Sequence, residues 1–311
     1  MLNSLSGRDF MDLDDYSREE IMLILETTRE LKLEAKRGLF HPYLKHKSLG
    51  CIFDQPSTRT RISFELGIQQ LGGYVTYLKP GEIHLGKKES IYDTAKVLSR
   101  FFDAIMIRWN NYEEMKELAD SATVPVINGM TEKNHPCQAL ADIYTVMEQF
   151  NDLNGKKVVF FGDRTQPAHS LGVICSKLGL NFVHCSPKKY AILTDYSDIF
   201  HRNNQLSGGT YMHTDNIDKA CSGAHVIYTD VWWWIGQEEE EDERRKLFAP
   251  FQVTSEIISK CDKNVIFEHC LPAMRGVEVT DEVMDSAHSV IYDQAENRMH
   301  TEKALMVLLM S

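Results

Sequence analysis

Short apolar runs alternate along this chain with longer segments whose apolar positions repeat at helical spacing. The stretch "KSLGCIFD" (47–54) is a typical strand, and "STRTRISFELGIQQLGG" follows it as a helix that two glycines end. The same alternation predicts further strands at 73–79, 103–109, 124–129, 156–162, 181–187, 209–215, 224–230 and 264–270, and further helices at 90–102, 111–122, 135–150, 168–179 and 296–310. Strands and helices that alternate in this way are typical of helix-covered parallel sheets, so we predict an α/β fold.

The alternation runs through two halves of similar length, which predicts two doubly wound parallel-sheet domains linked by helices. The natural seam is the polar stretch at 151–155, after the long helix 135–150. We therefore expect one domain over 1–150 and a second over 151–295. The last helix, up to residue 311, is apolar enough to pack back across a neighbouring element, and we assign it to the first domain. Ligands of such sheets bind beyond the C-terminal ends of the strands, where most of the motifs below lie.

Composition narrows the possible partners and compartments. The 311 residues carry a net charge of −11 with no basic block, which argues against a nucleic-acid partner. No apolar run is long enough to span a bilayer, and residues 1–20 lack the basic and apolar regions of a secretory signal, so we expect a cytoplasmic protein without membrane contact. Seven cysteines lie singly with no CxxC pair, which predicts reduced thiols rather than disulfides or a zinc site.

A run of hydroxyls and arginines, "DQPSTRTRISFE" (54–65), lies where a predicted strand ends and a helix begins. Hydroxyl groups and free backbone N–H groups at a helix N-terminus form an anion site, and Arg59 adds a planar donor fork that suits phosphate. An N-cap followed by exposed arginines fits the same residues. Spacing alone supports the two interpretations equally.

Three further polar side chains lie near predicted element boundaries. Arg108 ends a very apolar strand, where a cation either forms an internal ion pair or faces a ligand. In "TEKNHPCQALADIY" (131–144), Pro136 suits the first turn of a helix and holds His135 extended before it, with Gln138 in that turn. A histidine before proline is often only a cap, so this motif is weak on its own.

The motif "VVFFGDRTQPAHSLG" (158–172) resembles the strand, turn and helix of a dinucleotide-binding unit. It lacks the glycine triplet that lets a backbone approach the pyrophosphate, which argues against a nicotinamide dehydrogenase. Gln166 and His169 are instead candidates for contact with a small ligand.

A thiol follows a later predicted strand in "FEHCLPAMRGVEV" (267–279), where Cys270 is a candidate nucleophile. His269 precedes it, and neighbouring strand residues point to opposite faces, so we predict no Cys–His couple. Arg298, in "AENR", lies early in the predicted last helix.

Taken together in this order, "STRTR", "HPCQ", "HCLP" and "AENR" resemble the aspartate/ornithine carbamoyltransferase family along the whole chain. The resemblance implies two doubly wound α/β domains joined by two helices. It implies carbamoyl-phosphate binding by 1–150 together with 296–311, and binding of an acceptor amine by 151–295. It also implies homotrimers, or multiples of trimers, with active sites shared between subunits.

The resemblance also transfers site residues one by one. For carbamoyl phosphate it implies contacts from Ser57, Thr58, Arg59, Thr60, His84, Arg108, His135, Gln138, Cys270, Leu271 and Arg298. His84 lies in a segment that matches a loop reaching a neighbouring subunit's site, and it stands where many members carry glutamine. For the acceptor, the resemblance implies contacts from Asp230 and Gln166.

The chemistry of carbamoyl transfer fits these residues. Carbamoyl phosphate is a small dianion, and Arg59, Arg108 and Arg298 supply the positive charge that an acidic chain needs to bind it. A neutral amine attacks the carbonyl carbon, and Thr60, Arg108 and His135 are candidates to stabilise the charge on the carbonyl oxygen. Phosphate is a good leaving group, so no protein nucleophile, metal or organic cofactor is expected. Cys270 is then a polar contact near the amine.

The acceptor loop departs from the "DxWxSMG" that ornithine enzymes of this family commonly carry. This chain has "DVWWWIG", so Trp234 and Ile235 replace the Ser-Met pair, and Gln166 replaces an asparagine. Because Trp and Ile offer no group for an amino acid's carboxylate or α-amine, and Trp233 would extend an apolar wall, we expect putrescine as the acceptor. The products would be N-carbamoylputrescine and phosphate. The "GQEEE" after the loop is ornithine-like, so ornithine, giving citrulline, stays an alternative, as do another amine and a non-catalytic carbamoyltransferase-like subunit.

Overall fold

The chain divides into two units, one formed by Met1–Ala141 with Glu296–Ser311 and the other by Asp142–Ala295. The computed structural model describes residues 5–79, 88–233 and 238–311. The first division point falls inside a helix, Pro136–Phe150, whereas the predicted seam follows that helix. A continuous helix can pass from one unit into the next without any change in its sequence pattern, so composition does not reveal the division point.

A four-stranded parallel sheet lies in the first unit, in the order β2–β1–β3–β4. Its strands are β1 (Ser48–Phe53), β2 (Tyr74–Leu78), β3 (Ala104–Arg108) and β4 (Val126–Met130). Strands β1 and β3 are buried along nearly their whole length, as expected for a parallel sheet covered on both faces. Phe53 pairs with Arg108 in register, so β1 and β3 end side by side.

The helices of the first unit include one that the sequence pattern above omits. They are α1 (Arg18–Lys36), α2 (Thr58–Gln70), α3 (Ile91–Leu98), α4 (Tyr112–Ser121), the start of α5 (Pro136–Phe150) and most of α12 (Ile291–Met310). The omitted helix is α1, which begins with a capping box. The Ser17 hydroxyl accepts a hydrogen bond from the Glu20 N–H, and the Glu20 carboxylate accepts one from the Ser17 N–H. This Ser-x-x-Glu spacing was the available signal.

A five-stranded parallel sheet lies in the second unit, in the order β7–β6–β5–β8–β9. Its strands are β5 (Lys157–Phe161), β6 (Asn181–Cys185), β7 (Thr210–Thr214), β8 (Val226–Thr229) and β9 (Ile266–His269). The β-branched and aromatic side chains of β5 are buried, because both faces of this central strand lie inside the unit.

The helices of the second unit pack tightly enough to restrict side-chain size. They are the rest of α5, α6 (Gln166–Leu178), α7 (Thr194–Ser207), α8 (Ile217–Cys221), α9 (Glu241–Phe248), α10 (Ser255–Ser259), α11 (Asp281–Met284) and the first turn of α12. Gly172 of α6 lies so close to the Phe200 ring of α7 that a Cβ atom would come within 2.3 Å of it. A glycine is therefore needed for α6 and α7 to approach this closely.

Each sheet has a position where the strand order reverses. The second sheet has β6 and β8 on opposite sides of β5, and the first has β2 and β3 on opposite sides of β1. Loops that follow adjacent parallel strands at such a reversal form a crevice that binds ligands. The predicted α/β fold with two doubly wound sheets is thus confirmed, and the reversals place the candidate ligand loops after β1, β3, β5 and β8. Within the described ranges, every helix is too short or too polar to cross a membrane.

Candidate active site

Helix α2 begins beside the end of β3 in the first unit. Its N-cap residue Ser57 has extended backbone, and the Ser57 hydroxyl makes no cap hydrogen bond to the helix. Thr58 is exposed, Arg59 is half-buried and Thr60 is buried within the first turn. The positive end of the helix dipole and the Arg59 guanidinium therefore lie together, which is the charge distribution that an anion needs.

A buried network joins α2, β3, α5 and α12. Arg298 donates from Nη1 to Gln138 Oε1 at 2.6 Å and from Nη2 to Thr60 Oγ1 at 3.2 Å. Arg108 donates from Nη1 to the same Thr60 oxygen at 3.5 Å. With His135, these residues are called the Arg298 cluster below. The structure thus brings together, within one unit, side chains that the sequence spreads over more than two hundred positions.

His135 is buried immediately before α5 begins at Pro136. Its burial first, and then the positive charges of Arg298, Arg108 and Arg59, hold the pKa of the imidazole well below its usual value. The ring is therefore neutral near pH 7 and carries one N–H donor. The same electrostatic effect shows that all three guanidinium charges act at His135.

Glu302 offsets part of this positive charge. Its Oε1 accepts hydrogen bonds from Arg298 Nε at 3.1 Å and Nη2 at 2.9 Å. Burial raises the pKa of this carboxyl to about 7, against the lowering effect of Arg298. The guanidinium groups of Arg298 and Arg108 in the cluster, together with that of Arg59 nearby, outweigh one partly protonated carboxyl. The net charge around the Arg298 cluster is therefore positive and favours an anionic ligand.

Asp230 and Cys270 meet in the second unit, where β8 and β9 end side by side. The Cys270 thiol donates to Asp230 Oδ1 at 3.2 Å, and the Val231 N–H donates to the same oxygen at 2.8 Å. Burial raises the pKa of the Asp230 carboxyl. Burial, followed by the Asp230 charge, raises the pKa of the Cys270 thiol well above its usual value. The thiol is therefore a protonated hydrogen-bond donor rather than a thiolate nucleophile.

The predicted separation of His269 and Cys270 onto opposite faces is wrong. One donor atom each from Asp230, His269 and Cys270 all lie within 4.8 Å of one another. Strand β9 ends at His269, and Leu271 has a left-handed backbone with φ of 58°, so the alternation of faces stops where the strand stops.

Both ring nitrogens of His269 nevertheless have partners other than the thiol. Nδ1 accepts from the Leu271 N–H at 2.8 Å, so Nε2 carries the proton and donates to Glu278 Oε1 at 3.1 Å. His269 therefore cannot take the Cys270 proton while these bonds last. A metal ion bound by these three side chains would have to break one of the two hydrogen bonds of the His269 ring.

The remaining acceptor-side residues lie on neighbouring loops or outside the described ranges. Gln166 is half-buried at the start of α6, two residues earlier than the predicted helix start, after the loop that follows β5. Trp232 and Trp233, which follow Asp230, are both buried in the apolar core of this unit. His84, Trp234 and Ile235 lie outside the residues that the structure describes.

Two family models match successive parts of this chain. One, described as "Aspartate/ornithine carbamoyltransferase, carbamoyl-P binding domain", matches residues 8–148, and the other, described as "Aspartate/ornithine carbamoyltransferase, Asp/Orn binding domain", matches 154–309. The chain belongs to this carbamoyltransferase family. The resemblance drawn from four short motifs is therefore confirmed, and so is the prediction of a carbamoyltransferase enzyme.

Relatives of this carbamoyltransferase match it along its whole length. Ornithine carbamoyltransferases from Halalkalibacterium halodurans and Thermococcus kodakarensis are each 48% identical over 310 residues, covering 99% and 100% of this chain and 96% and 98% of those proteins. The solved structure of ornithine carbamoyltransferase from Pyrococcus furiosus is 47% identical, with a TM-score of 0.96, over 99% of this chain and 98% of that one.

Several residues that contact the candidate site residues are not among those predicted from the sequence. Glu302 lies four residues after Arg298, a spacing at which opposite charges meet on a helix, so the sequence did carry a signal for it. Glu278 contacts His269 from nine residues later in the chain, and Arg244 contacts Asp163 from 81 residues later; neither separation corresponds to a helix or strand repeat. Only the tertiary structure reveals those two pairs.

Proposed function

We propose that this carbamoyltransferase acts on ornithine, and that it produces citrulline and phosphate from ornithine and carbamoyl phosphate. The full-length identity of 48% to ornithine carbamoyltransferases carries this proposal. Ornithine, the alternative in the sequence analysis, thus replaces putrescine, the acceptor that the "DVWWWIG" loop favours. Two of the loop residues behind the putrescine expectation, Trp234 and Ile235, lie outside the described part of the chain. A third, Trp233, is buried in the core.

The Arg298 cluster and the start of α2 are the proposed carbamoyl-phosphate site. The phosphate would bind at the N-terminus of α2 with Arg59, since a dianion is stabilised by the helix dipole and a guanidinium fork. The carbamoyl oxygen would accept hydrogen bonds from Thr60, Arg108 or the neutral His135. The carbamoyl amide would donate to Gln138 Oε1. The net positive charge of this cluster supports a dianionic ligand.

The proposed reaction needs no covalent enzyme intermediate. The lone pair of the δ-amine attacks the carbonyl carbon, and negative charge develops on the carbonyl oxygen. Preorganised donors at such an oxygen typically lower the barrier by about 3 kcal/mol each. The tetrahedral intermediate then expels phosphate as the C–O bond breaks, and the amine proton passes to that phosphate. The raised pKa of the Cys270 thiol supports a mechanism without a thiolate.

Asp230 is the proposed partner of the acceptor's α-ammonium group. Its carboxyl is buried, and burial raises its pKa, so a cation beside it would stabilise the charged form. Ornithine and putrescine both offer such a cation in addition to the reacting amine, so Asp230 fits either acceptor. The Cys270 thiol already donates to Asp230 Oδ1, which orients the carboxylate for a second donor.

A steady-state panel of amines tests the proposed acceptor. We expect kcat/KM with ornithine to exceed that with putrescine by about a hundredfold or more, since putrescine lacks the α-carboxylate, and groups that bind a carboxylate reject an analogue that leaves them without a partner. Putrescine is the second candidate, because Gln166 and the "DVWWWIG" loop resemble those of putrescine enzymes. A kcat/KM that favours putrescine would reverse the assignment. Absence of turnover with every amine, together with no calorimetric binding of a bisubstrate phosphonate, would indicate the non-catalytic subunit.

Self-association into a homotrimer is also proposed. Large apolar side chains are exposed on the first unit, among them Ile62 and Leu66 on one face of α2, and Phe101, which is 70% exposed. Exposed apolar groups of this size mark interaction surfaces. Light scattering after gel filtration is expected to give three times the 35.7 kDa mass of one chain, or a multiple of that trimer. A monomer mass at micromolar concentration would reject the proposal.

The seven free thiols support a reducing compartment such as the cytoplasm.

A further inference from the structure

Helix α9 buries one cation, Arg244, although most of its other charged side chains are exposed. In "EEEEDERRKLF", Arg244 is only 6% exposed, whereas its neighbours Glu243 and Arg245 are exposed. Burying a guanidinium is costly unless it is paired and hydrogen-bonded. The burial of Arg244 therefore indicates that its guanidinium has specific partners inside the unit.

The Arg244 guanidinium connects two loops that follow adjacent strands. Nη1 donates to Asp163 Oδ2 at 2.6 Å, in the loop after β5, and to the Trp232 carbonyl at 2.8 Å, in the loop after β8. Nε donates to Glu240 Oε2 at 2.8 Å, one helical turn before Arg244. The guanidinium carbon also lies 5.3 Å from the centre of the Tyr190 ring. Each loop is thus fixed to the same rigid, planar group.

Both of the connected loops carry proposed acceptor residues. Asp163 also accepts the Arg164 N–H through Oδ1, and its carbonyl accepts the Thr165 N–H, so the turn immediately before Gln166 is held in place. On the other loop, the Trp232 carbonyl lies two residues after Asp230. The distance between Gln166 and Asp230 is therefore set partly by how Arg244 holds the two backbones.

Trp232 and Trp233, in the "DVWWWIG" loop that follows β8, contact the same helix. The Trp232 ring stacks on Phe248 of α9, with ring centres 5.9 Å apart. The Arg245 guanidinium lies 4.8 Å above the Trp233 ring. Helix α9 therefore contacts this loop through the hydrogen bond from the Arg244 side chain to the Trp232 carbonyl, a stacked ring pair and a cation–π contact.

We propose that Arg244 is a positioning residue that sets the spacing of the Gln166 and Asp230 loops, and thereby determines how tightly and how selectively the acceptor amine binds. This rests on the proposed function to the extent that these two loops bind the amine. Arg244 touches neither reacting group. Its effect would reach the substrate only through the two loop backbones, which distinguishes it from Arg59 and Arg108.

Three variants test this role by steady-state kinetics and thermal unfolding. Arg244→Met is expected to raise KM for the amine by about tenfold or more, and to reduce the ratio of kcat/KM between the best and second-best amines, while KM for carbamoyl phosphate stays within about twofold. Arg244→Lys keeps the buried charge but lacks the planar fork. We therefore expect its Tm to lie close to that of the unaltered protein and its KM for the amine to stay raised. Arg275→Gln is the control, because Arg275 also holds two carboxylates, Asp281 and Asp285, at the surface of the same unit.

Two results would overturn the proposal. One is an unchanged amine KM in Arg244→Lys together with an altered Tm, which would show a purely structural role. The other is an equal rise in KM for both substrates. The assay uses whichever amine has the highest kcat/KM in the panel, so a preference for putrescine rejects the proposed acceptor while leaving the Arg244 test intact. If Arg244→Met does not fold, Arg244→Lys decides the outcome.

Discussion

Replacing Arg59 with alanine is expected to lower kcat/KM for carbamoyl phosphate by about a thousandfold while leaving the fold intact. Arg59 is half-buried in the first turn of α2, and its charge reaches the buried His135. Its loss would remove a charge-assisted donor from a dianion while leaving the buried Thr60 contacts in place. Steady-state kinetics measures the loss. Thermal unfolding should show a change in the free energy of unfolding of about 0.5 kcal/mol or less.

Arg61→Ala is the matched control for Arg59→Ala. Arg61 lies two residues later on the same helix, but its Nε donates to Glu65 Oε1 at 2.9 Å, and its guanidinium lies 4.1 Å from the centre of the Tyr77 ring. Both variants remove one positive charge from α2, and only Arg59 acts on His135. Equal loss of activity in the two variants would mean that α2 contributes general positive charge rather than a specific phosphate contact.

Replacing Arg298 with methionine is expected to lower both activity and stability strongly. Arg298 is buried and donates to Thr60, Gln138 and Glu302. Removing it leaves the Glu302 carboxyl buried without its cation, and loss of one partner of a buried ion pair typically costs about 4 kcal/mol. The kcat/KM for carbamoyl phosphate should fall by about a thousandfold or more, because Thr60 and Gln138 also lose the donor that orients them.

The double variant Arg298→Met with Glu302→Gln separates the loss of activity from the loss of stability. It removes the buried carboxyl that has lost its cation, so most of the stability should return while activity stays low. The pH dependence provides a second check. The pKa of Glu302 is about 7, raised from its ordinary value, so its contribution to stability is complete at low pH and is lost as pH rises through 7.

Without Arg298, the pKa of Glu302 rises further, because the opposing cation is gone. The extra instability of the single variant should therefore be small below pH 7 and grow above it. Chemical denaturation at pH 6 and pH 8 measures this difference. A single variant with the same loss at both pH values, or a double variant that regains activity, would contradict the role given to Arg298.

Much of the proposed carbamoyl-phosphate site could be predicted because its residues lie at element boundaries. Arg108 ends β3, His135 precedes the proline that opens α5, and Thr60 lies in the first turn of α2. Each boundary has a local signal, such as a proline, a hydroxyl run or the end of an apolar stretch. Local chemistry and position in the fold therefore agree at these residues.

The supporting residues could not be predicted in the same way. Arg244 looks like any cation in a solvated charge run, and its burial depends on two loops that lie 12 and 81 residues before it. His269 and Cys270 converge because β9 stops at His269 and Leu271 adopts a left-handed backbone. Strand alternation assumes that the strand continues, so the sequence pattern predicted the opposite.

The sequence by itself determined the alternating α/β architecture, the family and the set of guanidinium, imidazole and hydroxyl groups that suit a dianion. Those properties follow from periodicity and from local chemistry. The tertiary structure decided which charges share one site, which carboxyl offsets them, and why Trp232 and Trp233 are buried beside α9. Burial and hydrogen bonding depend on distances between residues that are far apart along the chain, and a linear pattern carries no such distances.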